Sequence, residues 1–199
     1  MDDLVKAALT KWPNVPHCYG WLGLSARGNW YLRDDQSQAA GPFCGPPLQD
    51  TQRYAASKGS LLEHDKLIDF IARNYECDDR PGSDGSNAKG QWYFQNGPQR
   101  VYVELEATPL VWRIGPAPEF DVQAHTGQHA RAQRCIIDEH GHVYLDTEIG
   151  FGLVHTQDML LAANAIEQGL WVPQEVPAHE LPARFGYVRS PQALQVKAG

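Results

Sequence analysis

The chain has 199 residues, of which 42% are hydrophobic and 21% charged, and its formal net charge is -7 at pH 7. This composition is typical of a globular protein that buries one core or two small ones. The acidic balance, with no run of Lys or Arg, argues against a nucleic acid as partner. No apolar stretch is long enough for a transmembrane helix, so no membrane partner is expected.

The cysteines and the first residues bear on the compartment. Cys18, Cys44, Cys77 and Cys135 lie far apart and form no C-x-x-C pair, so we interpret them as reduced thiols. The acidic start of the chain does not have the pattern of a signal peptide. We therefore expect a cytoplasmic protein.

The first elements in chain order are a helix and a hairpin. Apolar residues at helical spacing predict a short amphipathic helix over 2–11. Two strands are predicted over 19–25 and 29–33, joined by a turn at Gly28. Residues 36–59 are rich in Gln, Gly, Pro and Ala and are interpreted as an irregular insertion.

A second helix is expected next. Residues 60–63 (SLLE) match a capping box, which predicts a helix from Ser60 to about Asn74 whose apolar stripe ends at Tyr75. Residues 81–90 have the composition of a mobile loop.

The strongest strand pattern follows. Residues 91–95 and 99–106 predict a hairpin around Asn96-Gly97-Pro98, with Val101 and its alternating neighbours facing inward. A third strand is predicted over 110–114, which would complete an antiparallel meander.

The second half carries a similar but weaker pattern. A hairpin is predicted over 135–145, and a helix over 157–168 that ends at Gly169. Residues 171–189 are interpreted as a degraded copy of the meander at 92–113.

Two segments of the chain resemble one another. Residues 24–32 align without a gap to residues 137–145, and Gly28, Tyr31 and Leu32 fall on Gly141, Tyr144 and Leu145. An internal repeat is informative about architecture. It predicts an α+β fold of two similar subdomains from a duplication, each with a hairpin, one helix and a short antiparallel meander.

The domain organisation follows from the repeat. The N-terminal subdomain is expected at 1–116 with insertions at 36–59 and 81–90, because a Gly- and Pro-rich boundary ends it. The C-terminal subdomain is expected at 117–190. The last residues, 191–199, are expected to be a frayed tail.

A polar row on the predicted strand 99–106 is the preferred candidate site. If a helix covers the apolar face of this strand, its other face is exposed, and it combines an aromatic ring with Arg and carboxylates. The alternative is an ordinary solvated sheet face. The candidate ligand- or partner-binding residues are Arg73, Tyr75, Arg100, Tyr102, Glu104 and Arg113.

Histidines in the second half are a candidate metal site. Imidazole is a good zinc ligand, and Cys135 and His155 lie in the same part of the chain. The alternative is a set of solvated loop histidines. The candidate metal ligands are His125, His129, His140 and His142.

The central run of the chain resembles a family of proteobacterial proteins of unknown function. The resemblance lies in 68–75 (IDFIARNY), 92–106 (WYFQNGPQRVYVELE), Thr108-Pro109, Trp12-Pro13 and 19–22 (YGWL), and it covers most of the chain. The order of elements is more distantly similar to a second bacterial family of unknown function, with repeated α/β motifs and a proposed signalling role. The resemblance implies a duplicated α+β architecture and supplies no catalytic residue.

The sequence shows no phosphate-binding loop and no hydrolase or zinc-protease signature, and no cofactor is predicted. We therefore expect a non-enzymatic binding or signalling module whose partner is a protein or a small molecule. One alternative is a metal-assisted hydrolase that uses the second-half histidines, and another is a subunit of a larger assembly.

Overall fold

The structure, a computed structural model, describes residues 3–12, 15–44, 51–78 and 89–198. Over these ranges the fold is α+β, as predicted, and no helix has the length and apolar character that crossing a membrane requires. The helices are α1 (Asp3–Lys11), α2 (Asp35–Ala40), α3 (Thr51–Lys58), α4 (Asp65–Arg73), α5 (Met159–Glu167), α6 (Leu181–Arg184) and α7 (Pro191–Ala198). Short 3-10 turns lie at Thr156–Asp158 and Ala178–Glu180.

The strands of the described residues form two sheets, one of six strands and one of seven. The first sheet contains β1 (Cys18–Leu24), β2 (Trp30–Leu32), β3 (Ser60–Leu61), β4 (Tyr75–Asp78), β5 (Gln91–Asn96) and β6 (Gln99–Leu105). The second contains β7 (Leu110–Ile114), β8 (Val122–Ala124), β9 (His129–Ala130), β10 (Ala132–Ile137), β11 (Val143–Thr147), β12 (Gly150–Val154) and β13 (Pro173–Glu175).

The chain forms two compact units. The first comprises Met1–Ser25, Asn29–Glu106 and Tyr187–Gly199, and the second comprises Ala26–Gly28 and Ala107–Gly186. The last segment of the chain thus belongs to the first unit. The predicted division into subdomains at 1–116 and 117–190 stays a prediction.

The sheet of the first unit has the order β3-β2-β1-β6-β5-β4. The predicted hairpins are confirmed, since β1 pairs antiparallel with β2 and β5 pairs antiparallel with β6. β1 also lies parallel to β6, a pairing between segments far apart in the chain.

Helices lie on both faces of this sheet. The side chains of β6 alternate between apolar and polar residues, and each kind faces a different helix. Val103 and Leu105 are fully buried and lie on the same face as Phe94, against which Phe70 of α4 packs at a centroid distance of 5.4 Å. On the opposite face, Glu104 contacts the start of α7. Strand alternation therefore places an apolar contact on one side and a polar contact on the other.

Three local predictions for the first unit are corrected, and a fourth falls mostly on residues that the structure does not describe. Ser60 and Leu61 form strand β3, and α4 begins at Asp65, where the His64 ring accepts a hydrogen bond from the amide of Leu67 at 3.3 Å. The segment 36–59 contains α2 and α3, so it is not wholly irregular. The supposed tail 191–199 contains α7. The predicted loop 81–90 lies outside the described residues up to position 88.

The sheet of the second unit has the order β13-β10-β11-β12-β7-β8-β9. β10 and β11 form the predicted hairpin. β7, which was expected to complete the meander of the first half, instead pairs parallel with β12 in this sheet. The meander expected over 171–189 is wrong, because that segment contains β13, one 3-10 turn and the short α6.

The two sheets have the same order in a run of four strands. In each sheet, the second strand of a hairpin pairs antiparallel with a further strand: β2 pairs with β3, and β11 pairs with β12. In each, the first strand of the hairpin has a parallel neighbour from later in the chain, β6 beside β1 and β13 beside β10. This common order supports two similar halves, and a duplication as their origin stays a prediction.

Candidate functional site

The first unit contains a cleft of about 550 Å³ between α4 and the sheet. Such a volume is typical of sites for small ligands. Most of its surface is apolar. The apolar lining residues are Trp21, Leu22, Leu32, Leu67, Ile71, Phe94 and Val101. The polar lining residues are Arg33, Asp34, Ser60 and Asn96.

A β-bulge in β1 shapes one wall of the cleft. Cys18 is opposite Val101 while Leu22 is opposite Val103, so four steps along β1 span two steps along β6. Gly20 sits in the bulge with a φ of 79°. Bulges re-aim side chains, and here the consecutive residues Trp21 and Leu22 both line the cleft.

Large apolar side chains at the cleft remain open to solvent. Trp21 and Leu32 are each 45% exposed although they lie in strands of the sheet. Leu61 in the neighbouring β3 is 47% exposed. An exposed apolar patch beside a cleft is typical of a binding surface.

The charge at the cleft is negative. Asp34 is the N-cap of α2, and its Oδ1 accepts hydrogen bonds from the amide and the hydroxyl of Ser37 at 2.8 and 2.7 Å. These bonds hold the pKa of Asp34 below its ordinary value, so it is a carboxylate at neutral pH. Arg33 also lines the cleft, but its guanidinium is bound elsewhere.

The guanidinium of Arg33 is at the centre of a buried polar network. Arg33 is 1% exposed, and its three nitrogens donate to five oxygen acceptors. The acceptors are the carbonyl oxygens of Gly20, Ser37, Gly41 and Ser57 and Oε1 of Gln192. With its donors used in this way, the guanidinium stabilises the fold around the cleft and is not available to a ligand.

The network continues to Glu104 and α7. Glu104 is 1% exposed, and its carboxylate accepts hydrogen bonds from the amide of Gln192 at 2.9 Å and from the hydroxyl of Ser190. Burial raises the pKa of Glu104, while these donors and the charge of Arg33 oppose that shift. The Cys44 thiol lies 3.8 Å from the same carboxylate, and burial raises the pKa of this thiol to about 12.

The expected exposed row on β6 is corrected. Tyr102 and Glu104 are 2% and 1% exposed, and the Arg100 side chain is 11% exposed. Asp78 accepts hydrogen bonds from Arg100 and from the Tyr102 hydroxyl. Tyr19 stacks on Tyr102 at a centroid distance of 4.7 Å. The row is an internal network, and a binding role for its residues stays a prediction.

The other candidate binding residues are dispersed. Arg73 is exposed at the end of α4, and Tyr75 is buried between Trp30 and Trp92. Arg113 belongs to the second unit, where Nε and Nη2 bind both carboxylate oxygens of Asp158. None of these three side chains lines the cleft.

The four candidate metal ligands do not assemble. Among the described residues, no three His, Cys, Asp or Glu side chains are grouped so as to hold a metal ion. The ring of His125 accepts a hydrogen bond from the amide of Val111 at 3.3 Å, and burial lowers its pKa to about 3. His129 is exposed and lies 3.4 Å from the side-chain nitrogen of Gln123.

His140 and His142 instead belong to a turn. The Asp138 carboxylate accepts hydrogen bonds from the amides of both residues and from the Tyr144 hydroxyl, and it lies 2.9 Å from Nδ1 of His142. Burial opposes ionisation of Asp138, but these bonds still hold its pKa below the ordinary value. The carboxylate therefore fixes the turn between β10 and β11.

Sequence reasoning missed the cleft residues Trp21, Leu32 and Asp34. The one local signal was Gly20 inside an apolar strand pattern, because an isolated glycine in a strand indicates a bulge. Arg33 carried no signal, since its acceptors on Gly20, Ser57 and Gln192 lie 13, 24 and 159 residues away in the chain.

These observations define a mixed α+β protein with an apolar, negatively rimmed cleft in its first unit. The family model DUF2944, described as "Protein of unknown function (DUF2946)", matches residues 1–192, and the chain belongs to this family. A comparison with curated proteins finds no match. A solved structure of a DUF1285 family protein from Silicibacter pomeroyi DSS-3 is similar over 82% of this chain and 84% of that chain, with a TM-score of 0.45 and 11% identity.

Proposed function

We propose that the protein is a non-enzymatic binding module whose cleft in the first unit takes a small ligand. The observation that carries the proposal is the cleft of about 550 Å³, lined by exposed Trp21 and Leu32 and bounded by α4. Apolar area held open to water is unfavourable, and a ligand that covers it would recover this free energy.

The charge at the cleft favours one class of ligand. Asp34 lies at the cleft as a carboxylate, and the one positive charge among the described lining residues, that of Arg33, is turned into the buried network. Opposite charge is favoured beside a carboxylate. The ligand is therefore a molecule with an apolar body and a basic or hydrogen-bond-donating group.

A wider biological setting belongs to the same proposal. We infer a bacterial cytoplasmic protein with a signalling role, in which ligand binding is the input. All four cysteines are free thiols, which supports a reducing compartment. A protein partner on another surface, or a place in a larger assembly, stays a prediction. Nothing in the arrangement of the described histidines favours the hydrolase alternative.

The proposal is tested with Nile red, a neutral apolar dye that becomes fluorescent in apolar sites. We expect saturable binding to the wild type. Leu32→Trp places a larger ring over part of the cleft and should weaken dye binding at least about tenfold, because the dye loses contact with the apolar surface that the ring covers. Leu61→Trp is the matched control, since Leu61 has a similar exposure but does not line the cleft.

Competition identifies the charge preference. Decylamine should displace the dye at lower concentration than decanoate, both below their critical micelle concentrations. Asp34→Asn retains an N-cap residue for α2 and should remove the difference between the two competitors. Equal dye binding by the wild type and Leu32→Trp would rule out the cleft as the site.

A further inference from the structure

The start of α7 is bound to the first unit by a set of polar contacts. Glu104 accepts from the amide of Gln192, the Gln192 side-chain nitrogen donates to Gln38 at 2.8 Å, and the Leu105 amide donates to the carbonyl of Arg189 at 2.8 Å. Polar attachments of this kind exchange with water at modest net cost. We call these polar contacts of Gln38, Glu104, Leu105, Arg189 and Gln192 the latch of α7.

Arg33 contacts this latch and also belongs to the wall of the cleft. Its amide donates to the carbonyl of Trp21 at 3.0 Å, within the cleft wall. Its guanidinium donates to the carbonyl of Gly20 at 3.1 Å and to Oε1 of Gln192 at 3.5 Å. One residue therefore contacts the cleft through its backbone and α7 through its side chain.

The bulge provides a second connection between the same elements. A Cβ atom placed on Gly20 would lie 2.5 Å from Nε2 of Gln192, so the Gln192 side chain rests directly on the bulge backbone. The next residue, Trp21, lines the cleft. A shift of the bulge that moves Trp21 would therefore also displace Gln192.

We propose that α7 can detach from the first unit, and that its attachment is coupled to occupancy of the cleft through Gly20, Arg33 and Gln192. This inference rests on the proposed function, since it takes the cleft as the ligand site. A ligand against Trp21 and Leu32 restrains the bulge and so restrains Gln192. Occupancy of the cleft therefore strengthens the attachment of α7. Because linkage is reciprocal, a weaker attachment of α7 lowers the affinity of the cleft for its ligand.

Gln192→Ala tests the reciprocal effect with Nile red as probe. Gln192 does not line the cleft, yet the variant should bind the dye about fivefold more weakly, within the usual range of couplings between sites. Gln195→Ala is the matched control on the same helix, because the Gln195 side chain makes no hydrogen bond within the described part of the chain. Its affinity should equal that of the wild type.

A second measurement needs no ligand. Leu32→Trp places a ring in the cleft, and hydrogen exchange of the α7 amides should slow about fivefold relative to the wild type. Leu61→Trp should leave that exchange unchanged, and Trp21→Ala, which removes the large side chain that the bulge carries into the cleft wall, should speed it.

The two proposals fail in different ways. If Leu32→Trp abolishes dye binding but Gln192→Ala binds as tightly as the wild type, the cleft stands and the coupling is overturned. If the wild type does not bind the dye, the proposed function is contradicted. The coupling is then judged only from the hydrogen exchange of the α7 amides in Leu32→Trp and the wild type. Equal α7 exchange in Leu32→Trp and the wild type would then overturn the coupling as well.

Discussion

The carboxylate of Glu104 accepts a hydrogen bond at 2.9 Å from the amide of Gln192, a residue 88 positions later in the chain. This bond joins the central strand β6 to the start of α7. The residues that flank Glu104 on the same strand, Val103 and Leu105, are fully buried. A single strand thus contributes an apolar layer on one face and a polar anchor for the C-terminal helix on the other.

The first prediction concerns the centre of the polar network. Arg33→Met removes donors from four buried or part-buried carbonyl oxygens, and we expect a loss of about 3 kcal/mol or more in the free energy of unfolding. Arg33→Lys keeps the charge but cannot reproduce the planar fork, so it should recover only part of this loss.

Urea denaturation measures these differences. Arg131→Met is the control, since the Arg131 side chain is exposed, and it should change the free energy of unfolding by less than about 0.5 kcal/mol. An Arg33→Met variant as stable as the control would show that the network does not stabilise the first unit.

The second prediction concerns the pH dependence contributed by Glu104. Burial raises the pKa of this carboxyl in the folded protein, so the folded state binds its proton more tightly than the unfolded chain. Its contribution to stability is fully present below the unfolded pKa and is lost as the pH rises through the folded pKa. Glu104→Gln does not titrate.

Urea titrations at several pH values test this sign. The free energy of unfolding of the wild type minus that of Glu104→Gln should fall as the pH rises from about 4 to 7. The titratable groups that act on Glu104 are Arg33, whose charge does not change in this range, and the Cys44 thiol, whose raised pKa keeps it neutral. A difference that grows with pH would contradict the assignment.

The third prediction concerns His125 in the second unit. Burial lowers its pKa from 6.5 to about 3, so the folded state disfavours the protonated ring. The stability contribution is present above the unfolded pKa and is lost as the pH falls toward the folded one. At about pH 4 we expect the free energy of unfolding to fall by roughly 2 kcal/mol. This figure is smaller than the full pKa shift would give, because part of His125 is exposed to solvent.

The matched variant is His125→Gln, whose carbonyl oxygen can still accept the hydrogen bond that Val111 donates. The acid-induced loss of stability should be smaller in this variant than in the wild type. Identical pH profiles would mean that His125 titrates normally in the folded state.

The fourth prediction compares the two hairpin turns. The φ angles of Gly28 and Gly141 are 80° and 79°, and in each turn an amide donates to the carbonyl four residues later, Ser25 to Asn29 and Asp138 to His142. A Cβ on Gly28 would lie 2.8 Å from Cβ of His125, whereas one on Gly141 would meet nothing within 4 Å.

Alanine at either position pays for the left-handed backbone, about 1 kcal/mol. Gly28→Ala should cost a further 1–3 kcal/mol, roughly, from overpacking against His125. Thermal unfolding of the two variants measures the contrast. If Gly141→Ala is the less stable of the two variants, overpacking against His125 is not what distinguishes the two turns.

The sequence predicted local pairs of strands well. The hairpin of β5 and β6 follows from the alternation of Trp92 with Tyr93 and of Val101 with Tyr102, and its register places Tyr93 opposite Tyr102. The parallel pairing of β1 with β6 had no local signal, because it joins Leu22 to Val103 across many intervening residues. Periodicity identifies a strand, but it does not identify a partner that is distant in the chain.

The exposure expected for the polar row on β6 was wrong for the same reason. Tyr102 and Glu104 have the polarity of an exposed face, but Asp78 and Gln192 come from distant segments and satisfy them. The cleft combines side chains from strands and a helix that are separate in the sequence. Only the bulge glycine Gly20 could have indicated that Trp21 departs from strict alternation.

The most direct test of the ligand-binding cleft is methyl NMR of the whole protein titrated with decylamine below its critical micelle concentration. We expect saturable shifts in the methyl signals of Leu32, Leu67, Ile71 and Val101, and weaker binding to Asp34→Asn. The methyl groups of Leu160 and Leu170, which are exposed in the second unit, should not shift. Shifts confined to Leu160 and Leu170, or no shift in any cleft methyl group, would contradict the account.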